Sequence, residues 1–221
     1  MYRNFGWSLS AMDRIDEALA YIQKGIDLKE RVGQPPSWFD LWDLGRMKAA
    51  RALKDDSPEN IVAAQAVVTK ALWLHRDQEH DDLVMRAKIW HSIGECSFAL
   101  GFLAEGGKWS VDSGNRPASN SQAKTHYKKA LKCFKESHSL MRKTEGRYNA
   151  LTGVEAQAVS WSLIKLDQAE ESKPYILDAA EALAQQQSGW GDGDSQAPAL
   201  NQAVQLVDRI LEVYRETADR D

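Results

Sequence analysis

The chain has few cysteines and no long apolar run. Only Cys96 and Cys133 occur among 221 residues, both within helical patterns, so they do not form a disulfide framework. We expect two small buried thiols in the reducing cytoplasm. No apolar run approaches the roughly 18 residues that a membrane span needs, and the N-terminus lacks the pattern of a signal peptide. The sequence therefore predicts a cytoplasmic protein without a membrane partner.

Motifs that mark known chemistry are also missing. The chain contains no Gly-x-Ser-x-Gly, Walker loop, dinucleotide fingerprint or Cys-x-x-Cys sequence. His75 and His80 are five residues apart, which fits one helix face poorly for metal binding. The 28 Lys and Arg residues against 32 Asp and Glu residues argue against a nucleic-acid partner. We expect no catalytic residues, no cofactor and no metal, and hence a protein that is not an enzyme.

What the chain does have is a repeated pattern of a small residue, a larger apolar one four positions on, and a small one three further. Its copies are Ala18, Ile22, Gly25; Ala64, Val68, Ala71; and Ala123, Tyr127, Ala130. These offsets fall on one helix face, where small residues permit close helix contact. An apolar–Gly pair precedes each copy: Phe5-Gly6, Leu44-Gly45 and Ile93-Gly94. Each Gly predicts a point where two helices cross at short range.

These residues resemble the tetratricopeptide repeat. In the first copy Gly6 and Gly25 are separated by the 19 residues typical of that family, and Asp13 replaces the usual turn glycine. The corresponding separations in the second and third copies are 26 and 36 residues, so both carry insertions between their helices. The resemblance covers residues 2–143. It implies an all-α, right-handed α-solenoid of antiparallel helix pairs.

The sequence predicts a single domain, residues 1–221. Turn formers divide it into repeats at 2–33, 37–78 and 82–143 and degenerate helices over 147–217. Gly33 should end a helix, Ser37 and Ser57-Pro58 should begin two others, and Ser172 with Pro174 should begin a later one. Residues 105–121 form a long loop around Trp109. A final amphipathic helix, 198–217, should cap the solenoid.

The first helix begins without a preceding N-cap. A solenoid normally starts with a polar cap, so we expect the chain to be part of a longer protein. The uncovered apolar face of the first hairpin then predicts self-association through the N-terminal end.

Charge is distributed unevenly. Residues 124–147 carry eight Lys or Arg against two Glu, whereas residues 167–221 carry twelve acids against four bases. The simpler interpretation is solvated outer helix faces. The alternative is that the two regions create opposite fields that steer partners or promote end-to-end contact.

The resemblance also implies a binding surface. In tetratricopeptide repeats the residues that flank the apolar–Gly pair line a concave groove, and by position these are Arg3, Trp7, Trp42, Arg46, His91, Glu95 and Phe98. Tryptophan and arginine are enriched in binding hot spots. The alternative is that Trp42 and Phe98 pack between helices.

Two functions are compatible with a predicted helical repeat that carries a binding groove. The first is a non-catalytic protein–protein interaction module, a scaffold, adaptor or sensor segment that binds a peptide or helix in the groove. The second is a regulatory domain that senses a ligand or peptide and gates a catalytic domain elsewhere in a longer protein. The flanking sequence of the full gene would distinguish them.

Overall fold

The protein is all-α over the residues that the computed structural model describes, 2–77, 82–106, 118–147 and 149–188, which contain no strand. Side chains are described for these residues except 2–5, 7, 183 and 186–188. The predicted fold class is therefore confirmed at the level of all-α. The helices are α1 (Tyr2–Ala11), α2 (Ile15–Arg31), α3 (Trp38–Lys54), α4 (Pro58–Arg76), α5 (Leu83–Ala104), α6 (Ser121–Glu145), α7 (Ala150–Lys165) and α8 (Ala169–Ser188).

Most helix ends follow the turn signals in the sequence. Gly33 follows α2 with a positive φ of 74°, a conformation that favours glycine. Ser37 and Asp40 form a reciprocal capping box at the start of α3, which satisfies two otherwise unpaired backbone N–H groups. Ser57 precedes α4 as predicted, but its side chain accepts no capping hydrogen bond. The predicted start of α4, with Ser57 as N-cap residue and Pro58 in the first turn, is therefore confirmed.

The start predicted for α8 is wrong. The helix begins at Ala169, and Pro174 lies inside it. The backbone N–H of Glu171 bonds to the carbonyl of Gln168, whose side chain donates to the Glu171 carboxylate at 2.7 Å. These local bonds establish the first turn upstream of the Ser-x-Pro signal. Ser172 is fully buried and its hydroxyl donates to the carbonyl of Ala169.

Three short turns between helices share one backbone conformation. Asp13, Asp56 and Asp167 each have a positive φ, of 59°, 48° and 64°, between α1 and α2, α3 and α4, and α7 and α8. In each turn the N–H of the next residue bonds to the carbonyl five positions earlier, as in Arg14 to Leu9. This is the pattern of a Schellman helix end, in which Gly usually takes the left-handed position. Aspartate is one of the few other residues that tolerates it.

Glycines mark the closest helix contacts, as predicted for the first two copies. A Cβ atom on Gly6 would lie 2.8 Å from Ile22, and one on Gly45 would overlap the side chain of Val68. The small residues Ala18 and Ala64 contribute backbone carbonyls at the same crossings. The repeated sequence pattern therefore corresponds to a repeated contact between α1 and α2 and between α3 and α4.

The third copy uses two crossings, whereas the sequence predicted one. Gly94 lies against the ring of Phe134, and Gly101, one heptad later, lies against the ring of Tyr127. The assignment of Gly94 to the Tyr127 copy is therefore wrong. The reason is length: α5 and α6 are long enough to meet at two places, each with an aromatic ring over a glycine.

A fifth crossing, in the fourth helix pair, lies in the region where the sequence pattern becomes degenerate. A Cβ atom on Gly153 of α7 would lie 2.8 Å from Cβ of Ala182 in α8. No large apolar residue takes part, which is why the small–large–small pattern does not reveal it. The close glycine contact thus recurs along the whole described chain.

Helices that follow each other in the sequence pack together, and α3 also contacts α5. Between the first three helices the contact is apolar, with Leu9, Ile22, Leu44 and Met47 buried together. Ion pairs join α3 to the α1–α2 unit at its outer edge, Lys54 with Asp13 at 2.6 Å and Arg51 with Asp16 at 2.9 Å. The α3–α5 contact places side chains from distant parts of the chain next to each other.

Some predictions lie outside the described residues. They concern the capping helix 198–217, Trp109, His80 and the apolar outer face of the first hairpin. Among the described helices, none has the length and apolar character needed to cross a membrane.

The close crossing at Gly45 predicts the effect of a single methyl group. Gly45→Ala should lower the free energy of unfolding by about 1–3 kcal/mol, because the added Cβ overlaps Val68 and its backbone N. Urea denaturation of Gly45→Ala, Val68→Ala and the double variant measures this. The cost of Gly45→Ala should shrink in the Val68→Ala background. A simple gain in stability, as expected from helix propensity at an open site, would contradict the crossing.

The left-handed turn at Asp56 predicts opposite effects of two substitutions. Asp56 is exposed and has no ion pair within the described residues, so loss of its charge should matter little. Asp56→Gly should raise the free energy of unfolding by up to about 1 kcal/mol, and Asp56→Val should lower it by about the same amount. Thermal denaturation at matched pH checks both. Equal effects of the two changes would show that backbone conformation does not decide stability here.

Candidate functional site

A cavity of about 170 Å³ opens where α3, α5, α6 and α7 meet. Four of the seven residues predicted for the groove line it: Trp42 and Arg46 from α3, and His91 and Glu95 from α5. The remaining lining residues are Lys88, Ser92, Met141, Leu151, Val154 and Glu155. The structure thus brings together predicted residues that are some fifty positions apart in the sequence.

Trp42 forms a wall of this cavity and is only 5% exposed. Its indole Nε1 donates a 3.0 Å hydrogen bond to Ser92 Oγ, which ties α3 to α5. The guanidinium of Arg46 lies over the ring, 5.1 Å from its centroid. Trp42 therefore packs between helices, as in the second interpretation, while one part of it still borders the cavity. Arg46 extends from this wall toward Glu95.

His91 is held between two carboxylates. Its Nδ1 lies 2.8 Å from Glu155 of α7, and its Nε2 lies 3.4 Å from Glu95 one turn along α5. Burial alone would lower the pKa of His91, but the hydrogen bonds to Glu155 and Glu95 outweigh it and raise the pKa to about 10. Partial burial alone would raise the pKa of Glu95. The hydrogen bond to His91 and the positive charges of His91 and Arg46 outweigh burial, so the pKa of Glu95 is lowered. His91 is thus an imidazolium that donates from both nitrogens.

The crossing glycine helps to position this imidazolium. Because Gly94 has no side chain, the ring of Phe134 lies directly on α5. That ring is 5.2 Å from the His91 ring, so Phe134 supports one side of the imidazole. A charged histidine fixed in this way is a hydrogen-bond donor and places a positive charge in the cavity wall. It cannot take up another proton as a general base.

The rim of the cavity on the α7 side is apolar and exposed. Leu151 and Val154 are 40% and 50% exposed, although both belong to a helix that is otherwise well buried. Sequence analysis missed these two residues and Glu155. The signal was available, because Val154 follows Gly153 as Arg46 follows Gly45 and Glu95 follows Gly94. Gly153 was not recognised as a crossing residue, so the groove was not extended to α7.

The other predicted groove residues are placed differently. Phe98 packs edge-on against Tyr127, with ring centroids 4.9 Å apart, and does not line the cavity. It belongs to the helix packing that the second interpretation describes. Arg3 and Trp7 lie on α1, and their side chains are outside the described part of the chain.

A second charged cluster lies at the far end of α5. Lys165 is almost fully buried and its Nζ lies 3.0 Å from Glu105 Oε2, which also accepts a 2.6 Å hydrogen bond from the Tyr127 hydroxyl. Asn120 donates to the carbonyl of Ala104, and the N–H of Ala118 donates to the carbonyl of Lys165. These bonds hold both ends of the segment 107–117 close together. The cluster therefore connects the end of α5 and the residues before α6 to α7.

The two cysteines are buried thiols, as predicted from the sequence. Burial raises the pKa of Cys96 to about 12 and that of Cys133 to about 11, so both remain protonated at neutral pH. Across the described ranges, no group of three or more His, Cys, Asp or Glu side chains could hold a metal ion. The candidate site is therefore the cavity with its buried ion pair and apolar rim.

Comparison with known proteins adds no relative. A scan against models of protein families finds no match, and a search of curated proteins finds no similar sequence. The tetratricopeptide resemblance stays a prediction from the repeated residues.

The raised pKa of His91 predicts a specific pH dependence. Because the folded-state pKa lies above the ordinary value of 6.5, protonation of His91 stabilises the fold fully below about pH 6.5, and this contribution is lost as the pH rises toward 10. The loss should be on the order of a few kcal/mol in the free energy of unfolding.

Urea denaturation between pH 6.5 and 10 tests this, with Glu155→Gln as the matched variant. The wild type should lose more stability across that range than the variant, whose imidazolium has lost its nearest carboxylate. An NMR titration that gives His91 its ordinary pKa in the wild type would contradict the ion pair.

Proposed function

We propose that this protein is a non-catalytic interaction module that binds a protein segment, an extended peptide or a helix, in the cavity between α3, α5 and α7. The observation that carries the proposal is the convergence of Arg46, His91 and Glu95 with the exposed rim of Leu151 and Val154. Each lies beside a glycine crossing or one turn from it. A binding surface built from successive helices is what helical repeat proteins use.

The fold that we propose with it is a right-handed solenoid of antiparallel helix pairs, similar to tetratricopeptide repeats. Two features support it. The three-residue turns with a left-handed aspartate are short enough to favour antiparallel neighbours. The glycine crossings recur in all four helix pairs with the glycine on the first helix each time. In such a solenoid the first helices of successive pairs line the inner surface.

The chemistry of the cavity favours a ligand segment with one apolar and one acidic side chain. Leu151, Val154 and Met141 offer an apolar surface, and covering a Leu-sized side chain there would contribute about 1.5–3 kcal/mol. Lys88, on the same rim, forms no ion pair with any described residue. His91 already donates both of its protons to carboxylates, whereas the ammonium group of Lys88 can donate to a ligand carboxylate. The ligand class is therefore a peptide with an apolar residue next to an Asp or Glu.

Peptide display tests the proposal directly. A library of random dodecapeptides is selected on the intact chain, and the selected peptides are measured by fluorescence anisotropy. Val154→Glu should weaken their binding at least about tenfold, because a carboxylate replaces the apolar rim, and tenfold corresponds to about 1.4 kcal/mol.

Val62→Glu is the matched control. Val62 is 53% exposed, close to the 50% of Val154, and lies on α4 away from the cavity. It makes the same chemical change and should leave binding unaltered. Peptides that bind Val154→Glu as well as wild type, or lose affinity only for Val62→Glu, would place the binding surface elsewhere.

A further inference from the structure

One helix carries a row of lysines that form no ion pair with any described residue. Lys124, Lys128, Lys132 and Lys135 follow one another at intervals of four, four and three residues along α6, so they lie on one side of it over about 16 Å. All four are exposed, and within the described residues no carboxylate lies within ion-pair distance of any of them. Several cations elsewhere are paired: Lys54 with Asp13, for example, and Arg147 with Asp178. The lysine row is thus a concentrated positive charge on an acidic protein.

The row borders a groove. A shallow depression of about 480 Å³ lies beside Lys128, Lys132 and Lys135, and its remaining lining comes from Leu131, Glu136, Leu166 and Gln168. Leu131 and Leu166 are half-buried and form an apolar floor between α6 and the turn that follows α7. A solvated helix face would not need such a floor. Charge and apolar surface are therefore combined in one concave place.

We propose that this lysine groove is a second interaction surface, distinct from the cavity between α3, α5 and α7, and that it binds an acidic protein segment with apolar residues between its carboxylates. The choice of an acidic partner rests on charge complementarity with the lysines. Carboxylates spaced by one helical turn match lysines spaced by one turn, and an interposed leucine reaches the floor formed by Leu131 and Leu166.

The groove fits other polyanions less well. Among the described residues, its lining contains no arginine and no aromatic ring, the groups that recognise phosphates bidentately and stack on bases. Glu136 stands at the rim and repels a uniformly charged polyanion, whereas a peptide can place an uncharged residue there. A concave depression is also a poor match for a flat bilayer surface. These points favour a peptide over nucleic acid or membrane.

The test uses a fluorescein-labelled peptide that repeats the sequence Glu-Leu-Glu-Glu, with anisotropy measured on the full chain. It should bind more weakly as salt increases, because the lysines are exposed and screened. Lys128→Glu with Lys132→Glu should weaken binding at least about tenfold, and replacement of Leu by Ser in the peptide should weaken it severalfold. Circular dichroism should show unchanged helix content, since both lysines are exposed.

The control variant is Lys48→Glu with Lys70→Glu, which gives the same net charge at two exposed lysines outside the groove. It should bind the peptide within about twofold of wild type. Equal loss in both variants, or equal binding of the Ser peptide, would reduce the groove to non-specific attraction and overturn the proposal. Tighter binding of polyuridylate or phosphatidylserine vesicles would assign the lysines to another partner. Salt-sensitive self-association that the Lys128/Lys132 variant abolishes would assign them to a second copy of the chain.

Discussion

Close approach of helices at glycine is the constraint on which the rest of the structure depends. At Gly6, Gly45, Gly94 and Gly153 a neighbouring helix occupies the space that a side chain would fill. Apolar side chains on both sides can then interdigitate over the full length of each pair, and most of the core lies between such pairs. The same contacts fix how each helix is rotated about its axis. The rotation decides which residues of α3, α5 and α7 reach the cavity.

Charges inside the fold are placed by that packing and are compensated there. His91 with Glu155, Lys165 with Glu105, and Arg147 with Asp178 each join residues from different parts of the chain. Removing one partner of such a pair would leave a buried charge without compensation, which costs several kcal/mol. These pairs therefore specify register between helices more than they add stability. The exposed lysines of α6 need no such ion-pair partner, because water already solvates their charges.

The two proposed surfaces differ in physical character. In the cavity the charges are partly desolvated and prearranged, so a ligand gains from shape and from the apolar rim at Leu151 and Val154. In the lysine groove the charges are hydrated, so attraction is long-ranged, weak per contact and sensitive to salt. A protein with both could attract a partner by one surface and select it by the other.

Local sequence determined the secondary structure here. The Ser37 capping box, Gly33 and the alternation of small and large residues predict α2 and α3 to within a residue, because these signals act over one or two turns. Periodicity also predicted the crossings at Gly6 and Gly45, and the tetratricopeptide resemblance implied Arg46, His91 and Glu95 as groove residues. Only the tertiary structure decided that Phe134 lies on Gly94, that Phe98 turns to Tyr127, and that α7 completes the cavity with Val154 and Glu155. Those outcomes depend on how far two long helices slide along each other, a property of the whole interface that no short stretch of sequence contains.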